Sequence, residues 1–311
     1  LHPRVRRQRQ MCIRDRGAKL FWLDVAEPEY SVYDFKNYRY QLGSVQEVGN
    51  IYPKYYLKAF YDGMTAEGDT MPISLIRSAW AGSAKYGALV WSGDIVSTFE
   101  CFRRQVQAGL NMAIAGIPWW TTDIGGFHGA RTDDPDFHRL YIRWFEYGCF
   151  CPVMRLHGNR NPQEGYGAEQ IGSGSDNEIW SFGDKAYEIS KKYIFLRERL
   201  RDYIRAQMKK AHEDGTPVMR PVFYDFPADQ ESWNVEDAYL FGPDLYVAPV
   251  MEDHVTEREV YLPDGTAWFN AWTGEKYEGG QNVTVAAPLD TIPVFVKEGA
   301  DAEKLLNIFS E

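Results

Sequence analysis

The stretch Lys19-Leu-Phe-Trp-Leu-Asp24-Val-Ala-Glu-Pro-Glu29 constrains this chain more than any other. Leu20 to Leu23 are apolar or aromatic and run directly into a carboxylate and an acidic turn, the pattern of a buried parallel strand whose carboxyl end carries chemistry. Asp24 then sits at the strand tip, which in a barrel of alternating strands and helices is the end where side chains converge on a ligand. For one such Asp alone, an exposed acidic loop is the alternative. A second segment of the same design weighs against it. Ala88-Leu-Val-Trp91-Ser-Gly-Asp94 again ends an apolar run in an aromatic residue and an Asp, with Ser92 and Gly93 allowing a tight backbone turn.

The chain between and beyond these segments alternates. After a polar, aromatic-rich connection over 30–49, periodicity predicts a helix over 51–64, with Pro53 near its start where proline is tolerated. Strands are expected over 73–78 and 89–91, a helix over 97–113, and a strand-like run over 116–122 that leads to Asp123 and a Gly-Gly turn. A helix over 138–147, an extended stretch over 152–156, one long helix over 184–211 and an extended 217–223 follow. That order argues for βα units and a parallel sheet or barrel. Near residue 245 the texture changes to short alternating segments, such as 258–262 and 282–286, separated by Pro-Asp-Gly and Gly-Gly turns, which suits an antiparallel β-sandwich. Residues 301–311 read as a helical ending.

Residues 1–16 stand apart from the rest. They are crowded with arginine, and Arg6 to Arg16 reads as the translation of a transposase library adapter used in DNA sequencing. A basic nucleic-acid arm or a mitochondrial-type presequence is the alternative. As an adapter segment, 1–16 is expected to be disordered and is set aside. The full chain has 34 Lys and Arg against 44 Asp and Glu; without the six arginines and one aspartate of 1–16, its net charge moves from -10 to near -15. No Lys and Arg cluster suits a phosphate backbone, and no apolar run reaches the length of a membrane span, so neither nucleic acid nor membrane is an expected partner. Ten tryptophans suit stacking on sugar rings as well as a large core.

Cys101, Cys149 and Cys151 remain once Cys12 is set aside, an odd number without ladder-like spacing, so no disulfide framework is expected. Cys149-Phe-Cys151 lacks the two-residue gap of a zinc or redox pair and reads as buried thiols. His128, His138 and His157 show no ligand spacing, so neither a metal nor a cofactor is expected. No signal peptide is visible; because the authentic N-terminus is expected to be missing, the compartment is not read from this, and a cytoplasmic location is the default.

The two Asp segments resemble glycoside hydrolase family 31. Its nucleophile motif looks like Trp-x-Asp-x-x-Glu-Pro, here Trp22-Leu-Asp24-Val-Ala-Glu27-Pro28, and its acid/base motif like Trp-x-Gly-Asp, here Trp91-Ser-Gly-Asp94. Leu75-Ile-Arg77-Ser78, Asp123-Ile-Gly-Gly-Phe127, Arg155-Leu-His157-Gly158 and Met219-Arg220-Pro221 match in the family's order, from Gly17 to about Gly299. The resemblance implies a (β/α)8 TIM barrel followed by a β-sandwich. It also places the nucleophile near the fourth barrel strand, so about three strands and an N-terminal β-domain are expected to be absent. Residues 17–242 are then a partial catalytic barrel and 243–311 a partial C-terminal β-sandwich domain. Residues 301–311 depart from the family, which usually continues there with apolar residues and a proline.

What the resemblance implies chemically is a retaining α-glycosidase that hydrolyses terminal non-reducing α-linked glycosyl residues. Asp24 is the nucleophile; Asp94, protonated beside the indole of Trp91, donates a proton and then activates water. Such a mechanism sets the two carboxyl groups roughly 5–5.5 Å apart. Asp123 would accept hydrogen bonds from the sugar and Arg77 and His157 would donate them, with Trp22 and Trp91 completing the innermost subsite. Arg155 carries no assigned role. Taken singly, His157 reads as a structural histidine and Arg77 as a salt-bridge partner. The two Asp motifs look more like the α-xylosidase branch than the α-glucosidase branch, whose forms are Asp-Met-Asn-Glu and Trp-Thr-Gly-Asp-Asn. The expected partner is an oligosaccharide or glycoside, and a homo-oligomer is admitted for the intact enzyme. With two barrel edges open, the chain as written is expected to be inactive. A catalytically silent carbohydrate-binding fragment is the alternative. An unrelated hydrolase or dehydrogenase ranks last, since there is no Gly-x-Ser-x-Gly elbow and no Gly-x-Gly-x-x-Gly after a strand.

Overall fold

The computed structural model describes residues 17, 19–26, 37–161 and 175–310. The adapter-like residues 1–16, and Glu27 and Pro28 of the first motif, lie outside the described residues. The chain forms two compact units, Leu1–Trp91 and Ser92–Glu311.

In the first unit, β1 (Leu20–Leu23) is followed by a small hairpin, β2 (Arg39–Tyr40) and β3 (Gly43–Ser44), then α1 (Val45–Val48), α2 (Tyr52–Ala66), β4 (Ile73–Ile76) and β5 (Ala88–Trp91). The expected irregular connection over 30–49 therefore contains structure, and its residues 30–36 lie outside the described ones. β1 pairs with β4, and β4 with β5, all in parallel. Parallel neighbours need a crossover, and α2 supplies it, burying Leu57 and Met64 seven residues apart on one stripe. β5 is buried throughout. β1 is not: Leu20 is 53% and Trp22 47% exposed, and only Leu23 is buried. The expectation of a fully buried strand is corrected because, among the described residues, β1 has a paired neighbour on its β4 side alone.

The second unit continues the alternation with α3 (Phe99–Ile114), β6 (Trp120–Thr121), α4 (Pro135–Cys149), α5 (Gly183–Arg199) and α6 (Arg201–Asp214). Thr98 caps α3 by accepting from Cys101 N at 3.1 Å, and Asp134 caps α4 ahead of Pro135. Every residue of α4 from Leu140 to Cys149 is buried. Its two charges in that span, Arg143 and Glu146, meet at 3.2 Å. The single helix expected over 184–211 is two, because the backbone flattens at Leu200 (ψ -3) while Leu196, Leu200 and Ile204 turn inward. The stretch 152–156 forms no strand; Arg197 instead caps the carbonyls of Cys149, Cys151 and Pro152. Cys149 and Cys151 are buried thiols and Cys101 is half-buried.

The remaining strands are β7 (Met219–Arg220), β8 (Tyr239–Phe241), β9 (Leu245–Val247), β10 (Glu257–Leu262), β11 (Ala267–Asn270), β12 (Lys276–Glu278), β13 (Gln281–Ala286) and β14 (Val294–Lys297). Six form one sheet in the order β12-β11-β14-β9-β8-β7, and β10 pairs with β13, the described pairs all antiparallel. Leu240, Tyr246, Trp268 and Phe295 of the larger sheet and Val260, Leu262, Val283 and Val285 of the smaller share one core, a sandwich. The boundary expected near 243 falls between the hydrogen-bonded neighbours β8 and β9. The helical ending is present as α7 (Ala302–Ser310), with Phe309 packed on Phe150 and Trp272.

Candidate active site

Asp24 and Arg77 each follow the last residue of a parallel strand, and those residues, Leu23 and Ile76, are register partners. The side chains therefore emerge together at the carboxyl end of the sheet. Arg77 donates from Nη1 to Asp24 Oδ1 at 3.4 Å, and Val25 N–H donates to the same oxygen at 2.9 Å. The Asp24 carboxylate is 52% exposed and the guanidinium 18%. Val25 has φ +54, a conformation that costs a β-branched residue energy and recurs at functional sites. Trp22 and Trp91 meet edge to face at 5.7 Å, Trp91 buried beneath the half-exposed Trp22. Tyr56, which the sequence reading passed over, lies in the same field: burial first, then Tyr52 and the charge of Asp24, raise its pKa.

In the second unit, Asp94 is exposed and follows Gly93, whose φ of +76 gives the tight turn its neighbours suggested. Its loop is laced to the one after β6. Ile95 O accepts from Phe127 N at 2.7 Å and His128 N at 2.9 Å, and His128 O accepts from Ser97 N at 2.8 Å. Asp123, two residues past β6, is fully buried and ion-paired with Arg155. Burial lowers the Arg155 pKa and the charge of Asp123 opposes it. Gly126 closes the turn by donating to Asp123 O at 2.9 Å; at φ +79, a Cβ there would stand 2.7 Å from Ser97 Cα, so only glycine lets the two loops approach this closely. His157 is half-buried and stacks on Phe127 at 5.3 Å.

Two arginines were missed or left without a role. Arg155 holds Asp123. Arg160 is 1% exposed and donates to the carbonyls of Gly126 (2.8 Å) and Ile124 (3.3 Å), to Ser97 Oγ (3.4 Å) and to Asn177 Oδ1 (2.7 Å). Gly158, two residues earlier, was its only sequence signal: a Cβ there would lie 2.5 Å from the guanidinium. Asp24, Arg77, Trp22 and Trp91 thus gather in the first unit, and Asp94, Asp123 and His157 on interlocked loops of the second.

Parallel βα units with carboxylates on the loops after their strands, followed in sequence by an antiparallel sandwich, define an α/β enzyme scaffold with polar groups gathered at the strand ends. The sequence profile "Glycosyl hydrolases family 31 TIM-barrel domain" matches residues 2–207 and "Glycosyl hydrolase family 31 C-terminal domain" matches residues 215–300. The chain belongs to glycoside hydrolase family 31, a TIM-barrel domain followed by a C-terminal β-sandwich domain. It is 36% identical to an alpha-xylosidase of Saccharolobus solfataricus over 92% of this chain and 38% of that protein. It is 33% identical to alpha-glucosidase 2 of Bacillus thermoamyloliquefaciens over 92% of this chain and 35% of that one. Among solved structures, a family 31 alpha-xylosidase from a soil metagenome, complexed with xylose, superposes with a TM-score of 0.90 at 55% identity, over 98% of this chain and 47% of that one. The chain thus spans less than half the length of each of these relatives.

Proposed function

We propose that this segment carries the catalytic residues of a retaining α-glycosidase whose substrates are terminal non-reducing α-xylosides. The observation that carries the reading is the register-fixed pairing of Asp24 with Arg77 at the carboxyl ends of β1 and β4. A half-exposed carboxylate oriented by an arginine is reachable, as a nucleophile toward an anomeric carbon must be. In this reading Asp24 forms the glycosyl ester, while Asp94, on the mobile-proton side of the chemistry, protonates the departing oxygen and then deprotonates the attacking water. Asp123, held by Arg155, accepts from sugar hydroxyls; His157 and Arg77 donate, and Trp22 offers an exposed ring to the sugar face. As domains, we place the barrel segment up to α6 and the sandwich from β7 onward, since β7 and β8 hydrogen-bond with the later strands.

The likeness to the metagenomic alpha-xylosidase supports xylose; the likeness to alpha-glucosidase 2 favours glucose as the second reading. The test is to assay the full-length enzyme on aryl α-xyloside and aryl α-glucoside, following the first-formed sugar by NMR. α-Xylose as the first product supports the proposal. β-Xylose would exclude the covalent intermediate, and a preference for the glucoside would exchange the substrate while keeping the mechanism.

A further inference from the structure

We propose that Arg160 is a positioning residue for the proton donor, its guanidinium holding the loop of Asp94 in register with the loops of Asp123 and His157. The inference rests on the glycosidase reading of Asp94 and concerns a residue outside the catalytic set. Four acceptors from three places in the chain meet one side chain: Ser97 Oγ, three residues after Asp94; the carbonyls of Ile124 and Gly126, just after Asp123; and Asn177 Oδ1. The group also lies over the Phe137 ring at 4.6 Å, at the start of α4. Only a planar fork with five donors satisfies such a set; a lysine could meet one or two of them.

None of these hydrogen-bond acceptors is a carboxylate. The usual reason for burying an arginine, neutralising an acid by direct pairing, is therefore not what places it here; it shapes backbone. Burial pushes its pKa down to about 10, with the charge of Asp123 opposing, so it stays charged near neutrality. By holding the carbonyls of Ile124 and Gly126, it sets the turn whose amides, Phe127 N and His128 N, grip Ile95 O beside Asp94. Among the described residues, the Val96–His128 bridge is the one strand-like pairing of residues 94–98. Displacing the turn therefore displaces the acid.

The test compares Arg160→Lys and Asn177→Leu with Asp94→Ala as control in the full-length enzyme, on 4-nitrophenyl and phenyl α-xyloside. Amide hydrogen exchange is followed in parallel on the same full-length proteins. If Arg160 positions the acid, Arg160→Lys lowers kcat about a hundredfold on the phenyl glycoside, whose departure needs a proton, and less than about threefold on the activated one. Asn177→Leu moves both in the same direction by less. Amides of Ser97, Phe127 and His128 then exchange about tenfold faster, while those of β11 are unchanged. Equal losses on the two substrates, or unchanged exchange at those three amides, would overturn the proposal. If Asp94→Ala itself shows no leaving-group dependence, the acid assignment fails, and hydrogen exchange alone decides whether Arg160 holds the loops. Should Arg160→Lys not fold, Asn177→Leu carries both readouts.

Discussion

Arg77 reaches Asp24 through a single 3.4 Å bond, and the two meet because Ile76 and Leu23, the residues before them, face one another in the β1–β4 register. With the carboxylate 52% and the guanidinium 18% exposed, solvent screens the pair, which by itself contributes about 1 kcal/mol or less to folding. Its value lies in orienting a carboxylate and meeting a sugar hydroxyl. Arg77→Met should therefore lower kcat/KM about ten- to a hundredfold, the worth of one charged hydrogen bond, while the melting temperature falls by only a few degrees. A large loss of stability with intact kcat/KM would make Arg77 a structural ion pair and nothing more.

The two aspartates should fail differently. Asp24→Ala removes the atom that forms the covalent bond, so turnover is lost on natural and activated substrates alike. Asp94→Ala spares the first step for aryl glycosides whose leaving groups need little protonation, and the intermediate then accumulates because water lacks its base. Rapid-quench kinetics with a 4-nitrophenyl glycoside separate the cases: a burst in the Asp94 variant and none in the Asp24 variant. Bursts in neither, with both proteins folded, would contradict the roles.

Val25 sits at φ +54 directly after Asp24. A β-branched residue there costs on the order of 1–2 kcal/mol, against roughly 0.5–1 kcal/mol of extra chain entropy for glycine. Val25→Gly should therefore be neutral or slightly stabilising, yet slower, because the N–H that Val25 donates to Asp24 Oδ1 loses its fixed direction. Differential scanning calorimetry beside kcat reads both. A melting temperature lowered by several degrees would show that the conformation carries no strain.

Local patterns carried most of the fold. The apolar runs at β4 and β5, the stripe of α2 and the period-2 segments of β10 and β13 each state their partner surface within a few residues, and the structure has all of them. What failed depended on neighbours. Leu20 and Trp22 look like core and are half exposed because pairing, not composition, decides what covers a strand. Leu200 is an ordinary helix former, and its break comes from the packing of α5 and α6. At the site, motif order singled out Asp24, Asp94, Asp123 and His157, but Arg160 looks in sequence like any surface arginine. Only the approach of three separate loops shows why it is buried.

Glu146 offers a test of stability against pH. Fully buried on α4, it is flanked by Arg143 on its own helix and by Tyr193 and Lys192 on α5. Burial raises its pKa from the ordinary 4.5 to about 8, with Arg143 opposing. A carboxyl whose folded pKa lies above its unfolded one binds a proton more tightly in the native state. Its stabilising contribution is thus fully present below about 4.5 and is lost as pH rises toward about 8. The slope in that window can reach about 1.4 kcal/mol per pH unit. Glu146→Gln, which keeps the shape without the titration, should flatten the melting temperature between pH 5 and 8 (about one proton's worth) relative to the parent. Arg143→Met is the companion. It strips donors from the carbonyls of Val255, Ala287, Pro288 and Thr291 and from the acid, and should cost about 1–3 kcal/mol for each buried acceptor left unpaired. Superimposable pH profiles for parent and Glu146→Gln would mean that Glu146 is ionised in the fold throughout, its burial fully offset by Arg143.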